Sequence, residues 1–567
     1  MMPSAFPVST VPMTTAPGPA PFPAGFEEAI LAPDGNGQYL VEISAYIGGE
    51  ARSGGLATLT EIPLSTVPKG GGTSVGQVTL RYADRHWTGD PTDSDHPNVF
   101  FEGRVNVPLD LTRAMPILPE EERRARRQFG ELEIANGDGG LDAILQSYAV
   151  DGRRVRVLFG PYMGAYNEFR AILDVLGTGW EGESTRVRIG LRDRLYSLDT
   201  PLQETLYAGT GGVEGTDEIK GKPKPLNFGR TRNITPVLID PANLVYHWHD
   251  GESFALDDVF DRGATLTDSG TDVASYAALV AEGVSPGEYA TSLAVSMFKL
   301  GALPDGLVTC DTRGDADPSY IDTLDTIALR ILKDRHGLSG MWIDTASFAG
   351  AASIAGEMGI YINPNETPTT AEVLTRLMGA VGAWWGSGRD GKVRAGRLGA
   401  PENRSPNIRL DQYDILALTP EATPVPRWRQ RVGYKPNWTV QRGEDLATSV
   451  TASRRQFLTE PFSVVTASDA VTRVRHLQAL DPPPLTGLYE SESGADTLAS
   501  YLRELHSPDR RIFRAVVKRI GYKLDLQKIA HVTWPRYGLQ NGKRLVVVGI
   551  AERADGRGDT VEMRLWG

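Results

Sequence analysis

Six short runs of β-branched and aromatic residues follow one another between residues 39 and 191: Tyr39–Tyr46, Val75–Tyr82, Val99–Val105, Phe129–Ile134, Arg154–Phe159 and Arg186–Leu191. Each is stopped by Gly, Pro, Asn or Asp, so none can grow into a long helix. The punctuation continues along the whole chain, which holds 62 Gly and 38 Pro in 567 residues. A turn-rich β protein is the expected outcome. No fixed-period repeat stands out.

Helical signals enter after about residue 270. Ser319–Asp322 reads as a capping box, followed by Ile321, Leu324, Ile327, Ala328 and Ile331 on one face, with Gly337 as the stop. Thr369–Glu372 opens a second helix, with Leu374, Leu377, Val381 and Trp384 on its apolar side. Ser493–Asp496 opens a third, carrying Leu498, Tyr501, Leu502 and Leu505. Strand signals return at Lys543–Ile550 and Thr560–Trp566, separated by the turn-rich Asp555–Asp559. The expected fold class is α+β, β-rich and multidomain: small β-barrel or β-sandwich domains with an α+β module between them. The expected division is a Pro-rich N-terminal arm at 1–27, an N-terminal β domain at 28–112, a β-barrel domain at 113–268, an α+β domain at 269–400 and a C-terminal β-rich domain at 401–567.

Composition excludes several functions. The net charge of −12 argues against a chain built to grip phosphate backbones. A single Cys, Cys310, excludes a disulfide framework and any multi-Cys zinc site within one chain. No stretch of about 18 apolar residues marks a membrane span. The N-terminus has no basic region followed by an apolar core, so it does not read as a signal peptide. Its prolines block helix and central strand, while Phe6, Val8, Val11, Phe22 and Phe26 offer apolar anchors. An extended arm that straps a neighbouring subunit is the expectation, with a solvated leader as the alternative.

Chemistry-bearing motifs are few. Gly72–Gly76 fits G-x-S-x-G, but it leads from a Gly-rich turn into a strand rather than from a strand into a helix, so no nucleophile elbow is expected. His86 and Asp90 form an H-x-x-x-D, and His247 and His249 an H-x-H; together these four resemble the zinc ligands and catalytic His of a lysostaphin-type cell-wall peptidase. In that family the two motifs lie closer together, and satisfied or exposed histidines explain them as well. Asn136–Asp142 places oxygen ligands at alternate positions like a calcium loop, but has Leu141 where a Gly is needed. A turn is the preferred reading. Cys310 reads as structural. Arg123, Arg124, Arg126 and Arg127 read as a solvated basic run or as partners of an acidic neighbour. Lys220–Pro225 reads as an extended loop. No Rossmann or Walker loop is present. The chain is therefore read as a non-enzyme with no cofactor and no metal site.

An ordered series of segments resembles the tail-tip proteins of long-tailed bacteriophages and prophages. Phe129–Asp142 is similar to their G-x-L-x-x-x-N-x-D-G-x-x-D segment. It is followed by Asp151–Val155, Leu191–Asp199 and Lys220–Gly229, and Pro535–Ile550 resembles the closing hairpin of baseplate hub domains. The resemblance implies a central baseplate hub, a homotrimer with two tube-like β domains per chain that matches a sixfold tail tube to a threefold tip. It implies as partners the chain itself, a distal tail protein or tail tube, and a central fibre or spike. Genome DNA would pass through the channel without specific binding, along an acidic wall. The implied location is the virion tail tip, assembled in the host cytoplasm, with no membrane insertion of this chain. A distal-tail ring, a receptor-binding upper fibre and a cell-wall zinc peptidase stay open as alternatives.

Overall fold

A computed structural model describes residues 22–31, 37–47, 77–94, 96–125, 129–554 and 559–567. Most of the N-terminal arm, Gly72–Gly76, Arg126, Arg127 and the turn at 555–558 lie outside them.

The six expected runs all contribute strands, and alternation explains how they pack. In Arg186–Arg192 the side chains of Val187, Ile189 and Leu191 are fully buried, while Arg186, Arg188 and Arg192 take the other face. One large sheet collects these strands together with strands from beyond residue 400. Its path runs Ile415–Pro420, Ile512–Val517, Thr560–Trp566, Lys543–Ala554, Val105–Ala114, Phe129–Ala135, Arg186–Arg192, Arg170–Gly182, Arg154–Pro161, Gly37–Ile47, Gln77–Ala83, Phe100–Gly103 and Trp87–Thr88. The join is antiparallel: Ala114 lies opposite Gly549 and Leu109 opposite Ala554. Among the described residues the two ends of this path do not pair with each other, so the sheet is open and not a closed barrel.

Residues 193–400 stand apart from that path. Two five-stranded sheets form there, one centred on Val308–Asp315 and one on Val245–His247 and Met297–Leu300. Helices Leu324–Arg330, Thr345–Ala351 and Thr370–Ala380 share a second core with Glu492–His506. The α+β, β-rich class is thus the observed one. Among the described residues no helix is long and apolar enough to cross a membrane.

Helix starts differ in detail from the sequence expectation. The first begins at Leu324, capped by Thr323, whose backbone N–H donates to Thr326 Oγ1 at 3.2 Å. Ser319–Asp322 stays outside it because its carbonyls are engaged elsewhere. Asp322 accepts from the Met358 N–H at 2.8 Å and Ser319 from Arg330 Nη2 at 3.2 Å. The Thr369–Glu372 box is realised, with Glu372 N–H donating to Thr369 Oγ1 at 3.2 Å. That helix stops at Ala380, and Gly382, at φ +66°, turns the chain so that Trp384 stands on the strand Ala383–Ser387. The third helix starts earlier than expected, at Glu492.

Candidate functional site

The four zinc candidates have separate employments. His86 stacks on Phe100 at 5.5 Å, and its Nδ1 accepts from the Gly103 N–H at 3.0 Å. Asp90 caps a turn by accepting from the Thr92 N–H at 2.7 Å. His247 is buried on a strand, with Nδ1 2.6 Å from the Tyr207 hydroxyl. His249 is buried beside it, and its Nδ1 accepts from the Asn227 N–H at 3.0 Å. Burial holds His247 down at about 4 and drives His249 well below the usual range, with Arg335 adding to the second shift. Among the described residues no three His, Cys, Asp or Glu side chains are placed to hold a metal ion.

The other motifs are also absorbed locally. Asp138 in the Asn136–Asp142 turn is held by both Nη atoms of Arg104 at 2.7 Å, and the Asn136 side chain bonds Asp142 and the Leu141 N–H. A carboxylate so neutralised suits a turn and not a calcium ligand. Cys310 is fully buried, which pushes its thiol well up. Arg123 and Arg124 are not a solvated face. Both are buried; Arg124 Nη1 sits 2.6 Å from Asp199, with its guanidinium over the Trp385 ring. Lys224, in the expected loop, pairs with Glu214 at 3.0 Å.

What sequence reasoning missed is a buried charge cluster under the join of the large sheet. Arg113 and Glu552 come from the two strands that form the join, and Asp525 from the segment just before Ile529–Val532. Arg389 and Arg394 reach in from the hairpin of strands Ala383–Ser387 and Val393–Arg397. Asp525 Oδ1 lies 2.7 Å from Arg113 Nη1, and Oδ2 accepts from the Arg389 N–H at 3.2 Å and lies 3.4 Å from Arg394 Nη1. Arg389 pairs with Glu552 and donates to the Leu524 carbonyl at 2.8 Å. Burial pushes the Asp525 carboxyl up, but Arg113, Arg389 and Arg394 outweigh it and hold it at about 2. Burial lowers Arg113, against the pull of Asp525. The cluster ties three parts of the chain together, and removing one partner of such a set typically costs about 3–5 kcal/mol. A signal did exist. Arg113 follows Leu109 and Leu111, and Glu552 follows Val548 and Ile550, on the buried parity of their strands. A charge on the apolar parity marks a buried ion pair.

On the opposite face of the sheet, the strands Phe129–Ala135, Arg186–Arg192, Ile512–Val517 and Thr560–Trp566 are laced with ion pairs. Arg186 contacts Glu183 at 2.7 Å and Glu133 at 3.0 Å; Arg188 contacts Glu183 at 3.3 Å. Across the join, Arg514 pairs with Glu562, and Arg564 Nε lies 2.8 Å from Glu421. These arginines carry carboxylate partners before any ligand arrives. Such a face offers little to a phosphate backbone.

No protein-family profile matches the chain, and no curated protein matches it in sequence. Solved structures do show likeness. The 43 kDa tail protein of prophage MuSo2 from Shewanella oneidensis is 12% identical, with 82% of this chain and 95% of that chain covered and a TM-score of 0.36. A tail protein from Neisseria meningitidis MC58 is 10% identical, with 82% and 95% covered and a TM-score of 0.37. A chain of a native gene transfer agent virion is 13% identical, with 61% and 84% covered and a TM-score of 0.39. These are distant likenesses of fold.

Proposed function

We propose that this chain is a structural protein of a bacteriophage tail, the central hub of its tip, acting as a homotrimer around the DNA channel. The observation that carries the reading is the antiparallel join of Val105–Ala114 to Lys543–Ala554, which sets two β units of one chain side by side in a single sheet. Three such chains would present six units, the number a sixfold tube requires. The ordered resemblance of Phe129–Asp142, Leu191–Asp199, Lys220–Gly229 and Pro535–Ile550 to tail-tip proteins supports the same role. The ion-paired face suits a wall that DNA slides past, since its arginines are already neutralised. The proposed partners are a distal tail protein or tail tube on one side and a central fibre or spike on the other. The location is the tail tip, after assembly in the host cytoplasm, and the chain performs no catalysis and takes no cofactor.

Native mass spectrometry of the purified chain, with a reconstruction of assembled tails that imposes no symmetry, tests this reading. Three copies per tip are expected. A sixfold ring would assign the chain to the distal tail instead, and a monomer at high concentration would remove the hub. One bound zinc per chain together with peptidoglycan cleavage would revive the peptidase.

A further inference from the structure

A cleft of about 710 Å³ opens between the α+β module and the segments 404–407 and 526–529. The volume falls within the roughly 300–1,000 Å³ typical of small-molecule sites. Four cations line it: Arg394, Arg397, Arg404 and Lys528. Asp344 is the sole carboxylate in the wall, and Arg394 consumes it at 3.3 Å while also contacting Asp390 and Asp525. Among the described residues, no carboxylate lies within ion-pair distance of Arg397, Arg404 or Lys528.

Arg397 is the most telling of the three. It is only 6% exposed. Its Nη2 donates to the Ala351 carbonyl at 2.8 Å and the Tyr489 hydroxyl neighbours the guanidinium, while Nε and Nη1 are buried with no hydrogen bond of good geometry. Its guanidinium lies 5.5 Å from the centre of the Tyr501 ring. A guanidinium does not give up its proton, so burial without a counter-charge is costly. The indole Nε1 of Trp384, in the same wall, is also buried without a partner. Every unpartnered buried polar atom of this wall is therefore a donor.

We propose that the cleft binds a small oxyanion ligand, a phosphate or carboxylate compound, held by Arg397 with Arg404 and Lys528 at its mouth. An anion supplies acceptors and negative charge together, which neutral polar ligands do not. Through Arg394 the cleft adjoins the charge cluster under the join, and none of its lining residues belongs to the ion-paired face of the sheet.

Isothermal titration calorimetry on the full chain, in a buffer free of oxyanions, uses inorganic phosphate and citrate as separate probes. At least one should bind, with affinity falling as salt rises. Arg404 and Lys528 are half-buried at the mouth, so R404A/K528A is the variant that keeps the fold. It should weaken binding about tenfold or more, as expected for lost charge-assisted bonds. Phosphate binding alone identifies a phosphate compound, citrate alone a carboxylate. R397Q should abolish binding, and a shift in its unfolding curve separates loss of the site from loss of fold. Failure of both probes to bind, or equal binding by wild type and R404A/K528A, overturns the proposal.

Discussion

His247 and His249 share one fate for one physical reason: each is buried as a neutral ring that accepts or shares a hydrogen bond. Their titration therefore works against the fold in acid. His247 sits at about 4 when folded, against roughly 6.5 in an unfolded chain. Between those values the unfolded chain binds more protons, so stability is present above pH 6.5 and is lost as pH falls towards 4. A shift of this size corresponds to about 3 kcal/mol. His247→Gln should flatten the fall of the unfolding midpoint between pH 6.5 and 4, with a lower midpoint at pH 7 from the altered contact to Tyr207. An identical slope in the variant, read by urea titration at several pH values, would show that this ring does not set the acid limit.

At the scale of elements, the strands were legible because their side chains alternate. Val187, Ile189 and Leu191 announce a buried face, and the turns between runs announce the ends. Helix starts were less legible: Ser319–Asp322 has the chemistry of a cap, but tertiary bonds to Met358 and Arg330 claim its carbonyls. The histidine motifs were legible as residues and not as a site, because convergence depends on the path of the chain. The join was not legible at all, since nothing local says that Ala114 will meet Gly549. Phe22 and Phe26 do act as anchors, but on their own chain. The helix Ala24–Leu31 places Phe26 at 6.3 Å from Phe159, with Phe22 stacked on Phe26 and Arg170 4.0 Å over the Phe22 ring. Lys523 reaches Glu27 at 3.0 Å, so this helix touches both β units. Phe26→Ala should release it, at a local cost of about 3–5 kcal/mol. Hydrogen exchange is the readout: amides of residues 24–31 should speed up while those of Arg154–Pro161 keep their protection. Unchanged exchange at 24–31 would mean that Phe26 is not the anchor.

For the whole molecule, the polar face of the large sheet decides how it treats nucleic acid. Arg186 and Arg188 are held by Glu183 and Glu133, with Glu131 nearby. E131K/E133K adds two cations and loosens two more. Such a variant should retain duplex DNA in a gel-shift assay at low salt, where the wild-type chain should let it run free. Equal mobility with both proteins would show that this face does not meet DNA. The same sheet also imposes a schedule on the newborn protein. Val105–Ala114 pairs early with Phe129–Ala135 but finds its second neighbour only when residue 554 has left the ribosome, on the order of half a minute to a minute after residue 114 at ordinary rates of synthesis. Until then one strand edge stands open to any passing chain. Lys543–Ala554 thus acts as a latch on Val105–Ala114, and a protomer becomes safe to hand on only once that latch has closed.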